Sequence, residues 1–74
     1  MQQIEDKLVI SKMYMIQSAI ISRFPFLIKD DFNIFLDKNR IHIICEKENI
    51  QFSLHYNKPI KDFVNEFEEE FNIE

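Results

Sequence analysis

Few side chains of this chain could take part in a chemical reaction, and the main candidates are two histidines, His42 and His55, with Arg40 near them in the sequence. A metal site needs three or four ligands, and no clear third ligand accompanies the two histidines. Nucleophilic catalysis needs a hydroxyl or thiol paired with a base, and no such pair is evident. We therefore expect no catalytic residue, no metal and no cofactor. His42, His55 and Arg40 are the only candidates for a small enzyme or a nucleic-acid binder.

The single cysteine, Cys45, is predicted to be structural. It alternates with Ile41 and Ile43, and this spacing places all three on the inward face of a strand. A free cysteine behaves there as a small hydrophobic residue. A reactive thiolate needs an electropositive setting, whereas Glu46 and Glu48 lie beside Cys45 in the sequence.

The strongest charge pattern is acidic and lies near the end of the printed chain. From Asp62 onward there are acids and no lysine or arginine. A helix dipole disfavours each exposed acid near a helix C-terminus by about 0.3–1 kcal/mol. One interpretation is a solvated face that keeps the protein soluble. The other is a docking surface for a basic partner, with carboxylates in place of phosphates. The candidate partner-binding residues are Asp62, Glu66, Glu68, Glu69 and Glu70.

Length and composition limit what these residues can build. A chain of 74 residues allows one small domain, and 46% apolar residues with eight Phe suit a packed fold. The absence of glycine excludes the phosphate-binding loops GxxxxGKS/T and GxGxxG. One cysteine excludes an internal disulfide, and a net charge of -4 argues against direct nucleic-acid binding.

The elements that position these side chains begin with a helix over residues 3–23, which Pro25 ends. Its apolar arc exceeds the roughly 100° that a helix on a sheet needs. The three apolar stripes are Ile4, Leu8, Met15 and Ala19; Val9, Met13, Ile16 and Ile20; and Ile10, Tyr14 and Ile21. Either the surplus is covered within the fold by the connector and the last helix, or it forms an interface with a second copy or with another partner. The connector residues are Phe24, Phe26 and Leu27, and the candidate self-association residues are Val9, Met13, Ile16 and Ile20.

Three strands and a second helix follow. Alternating apolar residues predict strands over 32–37, 40–46 and 50–56. The turns between them are Lys38-Asn39 and Lys47-Glu48-Asn49, and their asparagines are expected to take the positive φ that glycine would otherwise provide. Apolar residues at helical spacing predict a helix over 59–72, with Asn57 or Lys58 as its cap. The fold class is therefore α+β, with the order α-β-β-β-α. Both helices are expected on one face of a three-stranded antiparallel meander.

The other face of this sheet is a second candidate surface. Two-residue turns would pair Asp37 with Arg40 and Arg40 with His55, and would pair Phe35 with His42. This mixed polar and aromatic patch suits either a partner contact or an ordinary open sheet face. Its candidate partner-binding residues are Phe35, Asp37, Arg40, His42 and His55.

Two families resemble this arrangement. The element order and the length resemble the double-stranded-RNA-binding domain, which holds phosphates with a basic patch at the start of its last helix. Here that region reads Lys58-Pro59-Ile60-Lys61-Asp62 and is followed by acids. RNA binding is therefore not carried over to this chain.

The chain also resembles the small acidic anti-CRISPR proteins of phages, several of which are single α+β domains with a three-stranded sheet. The resemblance implies an inhibitor that occupies the DNA-binding channel of a nuclease. The acids that carry the likeness are Glu46, Glu48, Asp62, Glu66, Glu68, Glu69 and Glu70. The composition, rich in Ile, Asn, Lys and Phe, is compatible with the AT-rich genome of a phage or a low-GC bacterium.

These patterns favour a non-enzymatic protein that binds and inhibits or modulates a basic, nucleic-acid-binding protein. The alternative is a homodimeric structural or regulatory module that associates through its apolar first helix. The early acids Glu5 and Asp6 do not suit a secretory signal, and the apolar run 13–21 is too short to span a membrane. We therefore expect a cytoplasmic protein without membrane contact.

Overall fold

The computed structural model describes the backbone of residues 2–72 and the side chains of residues 7–72. The helices are α1 (Gln2–Arg23) and α2 (Ile60–Phe71), and the strands are β1 (Phe32–Asp37), β2 (Arg40–Cys45) and β3 (Ile50–His55). The order confirms the predicted α+β fold with an antiparallel meander. Short 3-10 turns at Lys29–Asp31 and Glu46–Glu48 precede β1 and β3. The predicted β2 and β3 each extend one residue too far at their C-terminal ends, and the predicted α2 extends one residue too far at each end. The predicted α1 begins one residue too late.

The register of the sheet is set by its first turn. Asp37 lies directly opposite Arg40, so Lys38 and Asn39 form a two-residue hairpin loop. Lys38, rather than Asn39, takes the positive φ of 60°. In the next connection Asn49 adopts φ 58°, as the sequence suggested, because asparagine tolerates the left-handed region. In this register the apolar residue Leu36 pairs with Ile41, and Cys45 pairs with Ile50.

The core lies between one face of the sheet and the two helices, as the apolar alternation predicted. Cys45 is fully buried there, which confirms its structural position. Burial also raises the pKa of the Cys45 thiol, so the thiol is held in its protonated form. The core residues are Ile16, Ile20, Leu27, Ile41, Ile43, Cys45, Ile50, Phe63, Val64 and Phe67.

The first helix is longer than the sheet that it covers. Its 22 residues span about 33 Å at 1.5 Å per residue, whereas a strand of six residues spans about 20 Å. The molecule is accordingly elongated, 42 Å long and 19 Å across. The exposed apolar side chains of this helix are Leu8, Ile10, Tyr14 and Met15.

The stripe assigned to self-association is corrected by the structure. Ile16 and Ile20 are 0% exposed and belong to the intramolecular core. Val9 and Met13 are half-buried against the same core. This stripe faces the sheet and is covered within the fold. The apolar residues of α1 that remain exposed, Leu8, Ile10, Tyr14 and Met15, therefore lie on the other sides of the helix.

The connector after α1 covers the C-terminal end of α2. The ring of Phe24 lies 5.3 Å from that of Phe67 and 4.9 Å from that of Phe71, measured between centroids. Leu27 is buried, whereas Phe26 is 52% exposed, and its ring centroid lies 5.8 Å from that of Phe71 and 6.2 Å from that of Phe24. The connector therefore buries part of the predicted apolar surplus within the fold.

The start of α2 differs from the sequence-based expectation. Pro59, with extended backbone, is the N-cap residue, and neither Asn57 nor Lys58 takes that place. Proline suits this position because its missing N–H would lack an intrahelical acceptor in any case. Across residues 2–72, no helix is both long enough and apolar enough to cross a membrane.

Candidate interaction surfaces

Four acids of α2 share one side of the helix. Asp62, Glu66, Glu69 and Glu70 are spaced at i, i+4, i+7 and i+8, which places them on neighbouring turns of the same face. We call these four residues the acidic stripe. Phe63 and Phe67 of the same helix are fully buried in the core, so their packing fixes the rotation of α2 and turns the acidic stripe away from the core.

The carboxylates of the stripe are crowded around Glu66. Partial burial raises the pKa of Glu66, and the neighbouring charges of Glu69 and Glu70 raise it further, as does a side-chain hydrogen bond with Glu70. No lysine or arginine with a described side chain forms an ion pair with the stripe. The last turn of α2 also contains no basic residue to offset the helix dipole.

Glu68 does not belong with the other predicted acids. Its side chain points toward α1, where its Oε1 atom accepts a hydrogen bond from Arg23 Nη2 at 2.8 Å. The pair joins the C-terminal ends of the two helices. Glu68 therefore has an intramolecular role, and the candidate acidic surface reduces to the stripe.

The charge density of the stripe is close to that of a nucleic-acid strand. Eight residues of helix separate Asp62 from Glu70, a rise of about 12 Å, so the stripe carries about one carboxylate per 4 Å. A single strand of duplex DNA carries one phosphate per about 3.4 Å of axis. A protein groove that binds phosphates would meet a similar linear charge here.

On the open sheet face the predicted neighbours are present. Phe35 lies opposite His42, and their rings stack in parallel with centroids 4.9 Å apart. Asp37 lies opposite Arg40. Arg40 donates instead to Ser53, from Nε to Oγ at 2.9 Å and from Nη2 to the carbonyl oxygen at 2.8 Å. The sequence predicted the register but not the direction that the guanidinium takes.

His55 is held by its own turn. Its Nδ1 atom accepts a hydrogen bond from the Asn57 N–H at 3.1 Å, and its ring stacks on Tyr56 with centroids 4.8 Å apart. His42 and His55 are thus engaged in separate contacts on strands β2 and β3. Among the described side chains, no group of three or more His, Cys, Asp or Glu is arranged to hold a metal ion.

Two features were missed by the sequence-based reasoning. Lys12 extends from α1 to the turn between β3 and α2, where its Nζ donates to the Tyr56 carbonyl at 2.6 Å and also to the Lys58 carbonyl. Its ammonium lies 5.8 Å from the ring centroid of Phe63. The available signal was a polar residue next to an apolar stripe, because Lys12 falls between Ile16 and Ala19 on the helical wheel.

The second feature is a groove between α1 and β1. It is lined by Ile10, Met13, Tyr14, Gln17 and Ile34. Ile10 and Tyr14 remain 45% and 68% exposed. The third apolar stripe of the sequence had identified both residues, but not the strand beside them.

Comparison with known proteins gives no assignment. No protein-family model matches the chain. Neither a curated protein nor a solved structure matches it significantly.

Proposed function

We propose that this chain is a non-enzymatic binding protein that docks its acidic stripe onto a basic surface of another protein and thereby modulates that protein. The observation that carries the proposal is the crowding of the stripe. Glu66 lies beside Glu69 and Glu70, its pKa is raised, and no described cation pairs with these acids.

The crowding gives a physical reason for binding. Like charges on adjacent helical turns destabilise a helix, and the dipole of α2 adds to this near its C-terminus. Lysine or arginine side chains from a partner would relieve both effects at once. The stripe is therefore more favourable in a complex with a cationic surface than in the free protein.

The partner chemistry follows from charge and spacing. A row of carboxylates at nearly the spacing of phosphates fits a groove that ordinarily binds a nucleic-acid backbone. The specific form of the proposal is an inhibitor of the anti-CRISPR kind, which occupies such a groove. It predicts that the partner binds either this protein or nucleic acid, but not both.

The test is a capture experiment with two matched baits. One bait carries Glu66→Gln, Glu69→Gln and Glu70→Gln in the stripe. The other carries Asp37→Asn, Glu46→Gln and Glu48→Gln, which removes the same charge elsewhere on the surface. Proteins retained from a bacterial lysate by the wild type are quantified on both baits.

The proposal predicts a basic protein that is retained by the wild type and by the control bait but lost from the stripe bait. The purified complex should weaken as salt is raised, because exposed charges are screened over about 8 Å at physiological ionic strength. Added duplex DNA or RNA should displace the protein from its partner. Equal retention by both variant baits would contradict the proposal.

A further inference from the structure

The two edges of the sheet differ in how many of their outward backbone groups form hydrogen bonds. The pairing pattern of the strands shows which groups face outward. Asp37 and Arg40 flank a two-residue hairpin loop, so they form a hydrogen-bonded pair. Alternation along the ladder then directs the N–H and C=O groups of Ser53 and His55 away from β2, toward the outer edge of β3.

The outer edge of β3 is protected by the chain itself. The Ser53 carbonyl accepts a hydrogen bond from Arg40 Nη2 at 2.8 Å. The His55 carbonyl accepts one from the Lys58 N–H at 3.0 Å. With these two bonds, two of the three outward carbonyls of β3 are covered and only that of Gln51 is not, which makes β3 a poorer template for another strand.

The outer edge of β1 is not protected in this way. The same alternation directs the backbone groups of Phe32, Ile34 and Leu36 outward. The Phe32 N–H donates a hydrogen bond to the Lys29 carbonyl. Among the described residues, none forms a hydrogen bond with the outward backbone groups of Ile34 or Leu36. The sequence of β1, FNIFLD, contains no lysine and no proline, the residues that commonly block edge pairing.

An apolar flank lies directly above this open edge. Ile10 and Tyr14 of α1 line a groove with Ile34 of β1, and both remain exposed, at 45% and 68%. A strand added to β1 would direct alternate side chains into the helix layer, against this flank. Backbone donors and acceptors and an apolar contact are thus available at the same edge.

We propose that the β1 edge and the Ile10–Tyr14 flank bind a second copy of this chain, so that the two sheets join into one six-stranded antiparallel sheet. A twofold axis at Ile34 would let this residue both donate to and accept from its symmetry mate. It would also place the Leu36 N–H of each copy opposite the Phe32 carbonyl of the other. The interface is isologous, as in most soluble dimers.

The sequence around β1 is complementary to itself in this register. The residues of the two joined β1 strands that face the helices are all apolar, namely Phe32, Ile34 and Leu36 of each copy. At each end, Asp30 of one copy lies opposite Lys38 of the other, so opposite charges meet there. Asp31 lies opposite Asp37 in this register, but its charge is offset within its own chain, where Lys47 Nζ lies 4.0 Å from Asp31 Oδ2 and the Ile28 N–H donates to the same oxygen at 2.9 Å. These matches favour a second copy over an unrelated strand.

This interface is separate from the acidic stripe. The helix α2 packs over β3, and Glu68 on its α1 side contacts Arg23, so the stripe lies on the flank away from α1. A dimer through β1 would leave one stripe exposed at each end of the long sheet. The two proposals can therefore fail independently.

The first experiment measures mass in solution by sedimentation or light scattering over a range of concentrations. The wild type should dimerise with a mass that depends on concentration, and Tyr14→Lys should weaken dimerisation about tenfold or more. Met15→Lys is the matched control on the opposite flank of α1, where the side chain is 52% exposed. The control should dimerise like the wild type.

A wild type that is monomeric at its highest soluble concentration would overturn the proposal. So would a Tyr14→Lys protein that is folded by circular dichroism and dimerises as the wild type does. Loss of the dimer in both lysine variants would also overturn it, because the contact would then not be specific to this flank.

The second experiment tests the register by disulfide formation between exposed strand residues. The twofold axis at Ile34 places Asn33 opposite Phe35 of the other copy. A mixture of Asn33→Cys and Phe35→Cys proteins should therefore cross-link under mild oxidation. Each variant alone should not, because identical positions would lie about 8 Å apart, beyond the reach of a disulfide. Cross-linking that is no more efficient in the mixture than in the separate variants would overturn the proposed register.

Discussion

At the scale of single residues, Lys12 connects parts of the fold that are distant in sequence. Its ammonium donates to the carbonyls of Tyr56 and Lys58, which lie in the turn between β3 and α2. Desolvation lowers the pKa of Lys12, and the two carbonyls take the place of the water that burial removes. The residue therefore fixes where α2 begins relative to α1.

We predict that Lys12→Met destabilises the protein by about 1–3 kcal/mol, because both carbonyls lose a charged donor while the apolar stem is kept. Urea unfolding followed by circular dichroism measures the change. Lys7→Met, on the exposed side of the same helix, is the control and should alter stability by less than about 0.5 kcal/mol. Equal effects of the two substitutions would contradict the role given to Lys12.

Glu66 makes stability depend on pH. Its pKa is raised in the folded protein, so the folded state holds this proton more tightly than the unfolded state. The stability that this provides is present below the ordinary pKa of 4.5 and is lost as pH rises through the raised value. We predict that Glu66→Gln increases the free energy of unfolding at neutral pH.

The measurement is chemical denaturation at a series of pH values from below 4.5 to neutrality. The decline of stability with rising pH should become shallower in Glu66→Gln. Glu46→Gln removes the same charge outside the stripe and should keep the wild-type slope. An unchanged slope in Glu66→Gln would show that the crowding is not significant in solution.

At the scale of elements, the two helices differ in how well their sequences reveal their roles. The narrow apolar stripe of α2 predicted both the helix and its buried residues, Phe63 and Phe67. In α1 three apolar stripes competed, and the sequence did not show which one faces the sheet. Burial of Ile16 and Ile20 answers this, because a helix on one side of a sheet can bury only one arc.

The correction at α1 makes a prediction about stability. Ile16→Ala should cost about 2–5 kcal/mol, because it leaves a cavity in the shared core. Met15→Ala, at the adjacent exposed position, should cost less than about 1 kcal/mol. Thermal unfolding of the two variants measures the difference. If Ile16→Ala remained as stable as the wild type and changed only its oligomeric state, the original self-association assignment would be restored.

Replacing an acid at the C-terminal end of α2 by a cation is expected to raise the stability of the protein and to weaken its binding to a basic partner. Glu69→Lys should stabilise the helix by about 0.3–1 kcal/mol, because a cation near the C-terminus is favoured by the dipole. The same change should weaken any complex made through the stripe. Unfolding experiments and affinity for a captured partner are measured on the same variant. A variant that is less stable than the wild type would contradict the destabilised character of this end.

The strands were predictable from the sequence to within a residue, and so were their neighbours across the open face. Alternation and short turns allow one register that puts every apolar set on one side. The orientation of Arg40 was not predictable, because a long side chain can reach Ser53 as readily as Asp37. The ion pair between Glu68 and Arg23 could not be predicted for a similar reason, because it depends on the angle between the two helices.

At the scale of the whole molecule, the fold separates its two proposed surfaces. The acidic stripe lies on α2, which packs over the edge strand β3. The open edge of β1 is the opposite edge of the sheet. The β3 edge beneath the stripe is closed by Arg40 and by the turn at Lys58. This arrangement would allow a dimer to present its acids outward to a larger basic partner.

An NMR titration of the labelled protein with a short oligolysine peptide tests directly whether the acidic stripe binds cations. Chemical-shift changes should concentrate on Asp62, Glu66, Glu69 and Glu70. They should disappear at high salt and in the protein with Glu66→Gln, Glu69→Gln and Glu70→Gln. Shift changes of equal size at Asp30, Asp37 and Glu46 would contradict the proposed function, because the stripe would then be no better a cation-binding surface than the remaining acids.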